Sequence, residues 1–385
     1  MIIDAIASWN WFDWTVGVWV CFYFVLMWFL IGGLARLQRS RGLADEDCMP
    51  VTVLVSARNE EQDLQRCLDA ILKLDYPADK LQIVLVNDYS TDATGEIMER
   101  VAQNHANVVV LHSEAMPPNG LEAKARGVAH GFTRATGEWV IITDADATVH
   151  PKWVRHTLGR VTPETGMAGG SLVVRADSWL GVIERVSWAF VQMFNMGMAG
   201  WGVPFVCLGP NMAIRRSVYE EAGGLQNVHF KVAEDLALFQ MVADRKMKID
   251  CYLDEETTAT LSPVPSLRHL VSQQRRWLGG GIAHGWLYMV ILFFAFWWGF
   301  GVIMYLFLGW IISWKAWLTF ALGKAFTEAF FFVQQRRRMG LDKHVRYFWV
   351  LEFYHLFIIA LLPASFLFTR KIKWMGVGYT INYDG

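Results

Sequence analysis

Apolar positions along the chain follow three different rhythms. From Thr15 to Leu34 they are continuous, about 20 uncharged residues, the length that crosses a bilayer. This predicts a transmembrane helix over 15–37, with a tail of residues 1–14 before it. Between 48 and 262 the apolar runs are short and broken by polar turns. From 284 to 385 the continuous pattern returns as a C-terminal membrane region. There Trp286 to Val333 is about 48 residues, enough for two spans with a tight turn near Ser313 to Trp317, and Tyr347 to Phe368 is a further apolar stretch. One N-terminal span and about three C-terminal ones are expected around a soluble middle.

That middle alternates. Strand-like runs at Val51–Ser56, Leu81–Val86, Val108–His112 and Trp139–Thr143 are interleaved with helical periodicity at Asp63–Leu74, Thr94–Ala102 and Lys124–Ala135. Ser90 or Thr91 is placed to cap the second helix. Such alternation predicts an α/β fold with a mostly parallel central sheet, whose ligands bind at the carboxyl ends of the strands. After Pro151 the alternation breaks down. Gly169–Val174 reads as one strand, Trp179–Met198 as an aromatic, Met-rich helix, and Val232–Arg245 as a helix with Glu234 and Asp235 at its start. Ser266–Leu278 is amphipathic and closed by Gly279-Gly280-Gly281, so 263–282 reads as a helix lying in the membrane interface.

Charge orients this arrangement. Arg36, Arg39 and Arg41 follow the first span, the reverse of a cleaved signal peptide. The positive-inside rule then places the N-terminus outside and the central domain in the cytoplasm, at the cell (inner) membrane. Two later basic clusters, Gln334–Arg338 and Arg370-Lys371-Lys373, conflict with a full span between them. Either the last segment is re-entrant around Pro363, or the rule is broken there. Lys324 and Glu328, four residues apart, read as an ion couple inside a span. Glu352 and His355 share a face suited to a lipid head group or to interhelical hydrogen bonds. A net charge of −1 offers nothing to nucleic acid, and five scattered cysteines without a C-x-x-C pair argue against zinc or a disulfide framework and fit a reducing compartment.

The candidate chemistry sits at strand ends. Asp144 and Asp146 close the fourth strand with only Ala145 between them, and alternation puts both on one side. They are either a solvated turn or ligands for Mg²⁺ or Mn²⁺, hard ions that take oxygen donors and keep positions open for phosphates. Asp88 ends the second strand in the same way. Glu234 and Asp235 would serve a helix dipole even without chemistry.

Taken together these motifs resemble the membrane-bound inverting glycosyltransferases of family 2, with a GT-A nucleotide-sugar domain over 48–262. VTVLVSARNEE looks like the family's first strand and loop. LVNDYSTDAT resembles its uridine-binding strand end, with Asn87 where the family has a first Asp. Asp144-Ala145-Asp146 matches D-x-D, Glu234-Asp235 matches E-D, and Gln273, Arg276 and Trp277 match Q-x-x-R-W. The resemblance implies a UDP-sugar donor held by Ala57, Glu60, Asp88 and Lys124, with Mg²⁺ or Mn²⁺ on Asp144 and Asp146. It implies Asp235 as base and Glu234 beside it as an acceptor contact or structural group. Arg276 would face the diphosphate and Trp277 the acceptor, although an Arg and a Trp on an interfacial helix also serve as anchors, and Lys124 also reads as a solvated helix-start lysine.

Three functions compete. The first is transfer of a single hexose, glucose for preference, to the hydroxyl of a membrane lipid, as in ceramide glucosyltransferase-like enzymes. The second is a processive polysaccharide synthase, disfavoured by the sequence Phe205–Asn211, which departs from the processive pattern, and by the small number of spans. The third is a silent scaffold or lipid carrier, against which the retained carboxylates argue.

Overall fold

A computed structural model of the chain describes residues 11–227, 234–283, 314, 317–341, 344–351, 354, 371–374 and 377–380. Four parallel strands form the first half of its main sheet: β1 (Val51–Ala57), β2 (Leu81–Asn87), β3 (Val108–His112) and β4 (Trp139–Asp144). Val51 lies in register with Leu81 on one side and Trp139 on the other. Alternate residues of these β-branched strands feed two cores. Val53, Val55, Ile83 and Ile141 pack under α2 (Leu64–Ile71) and α3 (Thr94–Asn104). Leu54, Val84, Val140 and Ile142 pack under α4 (Ala123–Phe132) and α6 (Trp179–Ala199). A sheet buried on both faces needs such continuous apolar strands.

The sheet continues as β8 (Asn211–Arg215), β6 (Thr165–Gly169) and β9 (Lys248–Cys251), giving the order β3-β2-β1-β4-β8-β6-β9. β8 runs antiparallel to both β4 and β6, and β9 runs parallel to β6. A second sheet has the order β5-β10-β7, from β5 (Ala147–Thr148), β10 (Ala259–Leu261) and β7 (Leu172–Val174). The α/β, mostly parallel expectation therefore holds, and the first four strands fall within a residue or two of their expected bounds. Short α5 (Trp153–Thr157) and α7 (Arg216–Glu221) complete this region, and α8 (Glu234–Asp244) and α9 (Leu267–Ala283) follow.

Three local expectations are corrected. The run 169–174 is two strands in two sheets. At Gly170 a Cβ would lie 1.9 Å from the Thr257 carbonyl oxygen, and the Asn211 amide donates to the carbonyls of Ser171 and Thr257 at 2.7 and 2.8 Å. The chain is drawn across from one sheet to the other at this point. The start of α3 is capped by Asp92, which accepts from the Thr94 N–H at 3.0 Å, because Ser90 and Thr91 are occupied by Asn59 across the loop. Finally, α9 continues through Gly279-Gly280-Gly281 to Ala283. Glycine lowers helix propensity by about 1 kcal/mol per residue but keeps its N–H, so it does not stop a helix on its own.

N-terminal to the domain, α1 (Trp11–Arg36) lies against α6. A Cβ on Gly33 would lie 1.8 Å from the Gly197 carbonyl oxygen, and one on Gly200 1.8 Å from that of Gly33, so the two backbones touch. Trp201 stacks on Phe29 at 4.9 Å, donates its indole N–H to the Phe29 carbonyl at 2.9 Å, and lies 4.6 Å under the Arg36 guanidinium. A further helix, α10 (residues 317–339), joins this pair. The expected Lys324–Glu328 couple is present at 2.6 Å, with the Tyr23 hydroxyl donating to Glu328 at 3.0 Å. Among the described residues no helix is long and apolar enough to cross a membrane. The described side chains of α1 are continuous only over residues 20–36, and the expected spans between 284 and 313 and between 355 and 368, with Glu352 and His355, lie outside the described residues.

Candidate active site

The carboxyl ends of β2, β1 and β4 lie side by side, and Lys124 links the end of β4 to the start of α8. β4 ends at Asp144, and Asp146 follows in the turn. Burial, then the neighbouring charges of Asp144 and Glu60, raises the Asp146 carboxyl well above its ordinary range. Glu60, after β1, is pushed up to about 7, chiefly by burial and then by Asp144. Ala57 is buried at the end of β1, and its carbonyl accepts the Asp88 N–H at 2.8 Å, which fixes the end of β2 against β1. Asp88 is itself gripped by Arg126 of α4 through two hydrogen bonds at 2.8 and 2.9 Å. The same guanidinium lies 4.5 Å over the Tyr89 ring.

Lys124, from the first turn of α4, joins the two halves of the site. Its ammonium bonds Asp144 directly and reaches Glu234 at 3.2 Å. Burial alone would favour neutral lysine, but the two carboxylates outweigh it and raise its pKa. Glu234 shows the counterpart. Burial pushes its carboxyl up, while Lys124 and then Arg276 more than offset this and hold it below the usual range. Asp235 is pushed up to about 6, first by burial and then by Glu234. It accepts from the Gly209 N–H at 3.3 Å and the Leu236 N–H at 2.9 Å, so the 207–211 loop reaches the same point.

Of the residues singled out in the sequence, Glu60, Lys124, Asp144, Asp146, Glu234 and Asp235 come together, and Arg276 acts on the last two by charge. Gln273 instead donates to Glu184 of α6 at 3.1 Å. Trp277 packs edge-on against Trp188 of α6, 4.5 Å between centroids. Arg126 and Glu184 were not anticipated. Arg126 stands two residues after Lys124, an ordinary place for a basic residue, whereas Glu184, the sole carboxylate in the apolar run of α6, was visible as a charge in an unusual place.

Comparison with known proteins decides the family. The sequence profile of "Glycosyl transferase family 2" matches residues 52–223, and that of "Glycosyl transferase family group 2" matches 139–333, just over half of the 385 residues. The chain belongs to glycosyltransferase family 2. It is similar to the probable glycosyltransferase YdaM of Bacillus subtilis, 32% identical over 193 residues, 49% of this chain and 45% of that one. It is also similar to the beta-monoglucosyldiacylglycerol synthase of a Nostoc species, 25% identical over 245 residues, 60% of this chain and 48% of the other. The chain thus spans about half the length of these curated relatives. Among solved structures, the mannosyltransferase PcManGT of Pyrobaculum calidifontis, in complex with GDP-Man and Mn²⁺, matches with a TM-score of 0.55 and 20% identity over 86% of this chain and 94% of that one. That likeness shows the GT-A fold.

For a family 2 glycosyltransferase the arrangement has a direct chemical reading. Among the described residues no group of three or more His, Cys, Asp or Glu is arranged to hold a metal by itself. Asp144 and Asp146 nevertheless fit a divalent ion: they are hard oxygen donors, and Asp144 already carries a cation, the Lys124 ammonium. Two protein ligands with the remaining positions filled by phosphate oxygens and water suit Mg²⁺ or Mn²⁺.

Proposed function

We propose that this chain is a membrane-bound, metal-dependent inverting glycosyltransferase that moves one hexose, glucose, from UDP-glucose to the hydroxyl of a membrane lipid of the diacylglycerol type at the cytoplasmic face of the cell membrane. The observation that carries this reading is the bridge from Lys124 to Asp144 and Glu234, which sets a strand-end carboxylate pair beside a half-buried Asp235. The similarity to beta-monoglucosyldiacylglycerol synthases supports the sugar and the acceptor. The long apolar runs and the docking of α1 on α6 support the bilayer as the place of reaction.

Asp88, Ala57 and Glu60 line the uridine and ribose side, where the Arg126–Asp88 pair must open or re-form around the base. Asp144 and Asp146 hold the ion that, when bound, neutralises the departing diphosphate. Lys124 and Arg276 are the protein's own cations for the same charge. Asp235 takes the proton of the attacking hydroxyl, a role suited to a carboxylate whose pKa burial has moved toward neutrality. Glu234 keeps Lys124 in place. The 207–211 loop, bonded to Asp235, forms the floor on which the acceptor hydroxyl arrives.

The test uses purified, detergent-solubilised full chain with Mn²⁺, a panel of radiolabelled UDP-sugars including UDP-glucose, and a total lipid extract containing diacylglycerol. Products are divided into organic-soluble and alcohol-insoluble fractions. One labelled glucose per lipid in the organic phase is the expected result. Label in insoluble polymer would replace this reading with the processive synthase, and label in neither fraction would contradict it.

A further inference from the structure

The buried carboxylate Glu184 takes no direct part in the site described above. It is 1% exposed in the second turn of α6. Its Oε2 accepts the Val264 N–H at 2.9 Å, and its Oε1 accepts from the Gln273 side-chain Nε2 at 3.1 Å. A carboxylate is expensive to bury unless it is hydrogen-bonded, and these two bonds compensate it. They also have a consequence for Gln273. An ionised carboxylate has no proton to offer, so the Gln273 amide must turn its NH₂ toward Glu184 and its carbonyl oxygen away. That oxygen, Gln273 Oε1, is buried and has no hydrogen-bond partner among the described residues. Buried acceptors without a donor are uncommon and call for an explanation. Gln273 stands three residues before Arg276, on the same face of α9, and Arg276 is the residue whose charge acts on Glu234 and Asp235.

We propose that Glu184 is a positioning residue: it locks the Gln273 amide so that Oε1 serves as a hydrogen-bond acceptor for a hydroxyl of the bound alcohol or of the transferring sugar. The ligand group must be a donor, since a carbonyl oxygen repels a phosphate. The inference rests on the glycosyltransferase reading, and adds to it the link through which α6, itself seated on α1, sets the chemistry of α9.

The test compares wild type, Glu184→Gln, Gln273→Leu, Glu184→Gln/Gln273→Leu and Glu184→Gln/Gln273→Glu. UDP release from UDP-glucose is followed with dioleoylglycerol micelles and without acceptor, and UDP affinity is measured separately. A glutamine at 184 offers its own NH₂ to Gln273, so the Gln273 amide reverses and turns a donor outward. Glu184→Gln is expected to lose about tenfold in kcat/KM, with UDP affinity within about twofold. Gln273→Leu should lose as much, and adding Glu184→Gln to it should cost nothing further. Glu184→Gln/Gln273→Glu restores an outward acceptor oxygen and should recover most of the loss, which a merely structural role for Glu184 would not produce. A rise in acceptor KM assigns the hydroxyl to the alcohol, and a rise in donor KM assigns it to the sugar; either supports the proposal. Equal rates for Glu184→Gln and wild type, additive losses in the double variant, or no recovery in the swapped pair would overturn it. If wild type hydrolyses UDP-glucose but does not glycosylate dioleoylglycerol, the lipid reading falls. The order of the hydrolysis rates among the five proteins then decides the inference by the same criteria.

Discussion

The two sides of the catalytic domain hold their buried polar groups by different means. At the strand ends, carboxylates are held by cations: Asp88 by Arg126, and Asp144 and Glu234 by Lys124. On the helix side, buried groups are tied by hydrogen bonds to amides and hydroxyls. Glu184 takes the Val264 N–H and the Gln273 amide. Gln274 donates to Ser187 and accepts from Tyr354. Asn195 of α6 donates to the Val206 carbonyl at 2.8 Å and accepts the Phe205 and Val206 N–H groups at 3.2 Å. An ion pair at the mouth of a site can be exchanged for a charged ligand, because the ligand supplies the missing charge. A buried network held by amide and hydroxyl hydrogen bonds has no such substitute and stays as built. In the proposed function the first side is therefore the site for a charged donor, and the second the frame that carries the acceptor end.

The comparison breaks most sharply at Asp144. Asp144→Asn removes both the proposed metal ligand and the Lys124 partner, and transfer should fall by about 10³-fold or more. EDTA should do the same to wild type while leaving its circular dichroism unchanged. Lys124→Ala leaves Asp144 and Glu234 without their shared cation; steady-state assays should show about 10²-fold lower kcat. Lys124→Arg should not restore it, because a planar fork does not replace a point charge between two carboxylates.

A smaller and graded effect comes with pH. Asp235 has a folded-state pKa of about 6, above the ordinary carboxylate value. As base it must be deprotonated, so log kcat should fall by about one unit per pH unit below about 6. Stability should move in the opposite direction. A group with a raised folded pKa binds its proton more tightly in the native state, so Asp235 and Glu60 favour folding as pH falls through about 7 to 6. Parallel pH–rate and pH–melting curves would expose any departure from this opposition.

The frame is probed at the α1–α6 crossing. Gly200→Leu forces a side chain into the Gly33 carbonyl, and overpacking of this kind costs about 1–3 kcal/mol. The melting temperature should drop by several degrees, and the Kd for UDP should change by less than about threefold, since no strand-end ion pair is touched.

Much of the strand side was legible in the sequence. Continuous β-branched runs ending in Asp88 and Asp144 leave few alternatives to a buried parallel sheet with carboxylates at its exit, and the spacing to Glu234-Asp235 and Gln273–Trp277 carried the family. Even the departure at Asn87 has a local cause, since its side chain bonds the His112 ring at 3.0 Å and the Ser90 N–H at 3.2 Å, bracing the loop. The helix side was less legible because its contacts join distant stretches. Nothing within the run Trp179–Met198 says that Glu184 meets residues 264 and 273, or that Gly197 and Gly200 meet Gly33. The division of 169–174 between two sheets depends on Asn211, about forty residues away. Arg126 was passed over because a basic residue on a helix ordinarily points to water; only the folded position of Asp88 gives it a partner.

The central claim, that a half-buried Asp235 beside a strand-end nucleotide site performs the proton transfer, is tested most directly by Asp235→Asn, with kcat and UDP affinity measured on the same preparation. The account predicts that kcat falls by about 10²–10⁴-fold while the Kd for UDP stays within a few-fold of wild type. Transfer that survives the substitution, or UDP affinity that collapses with it, would contradict the account.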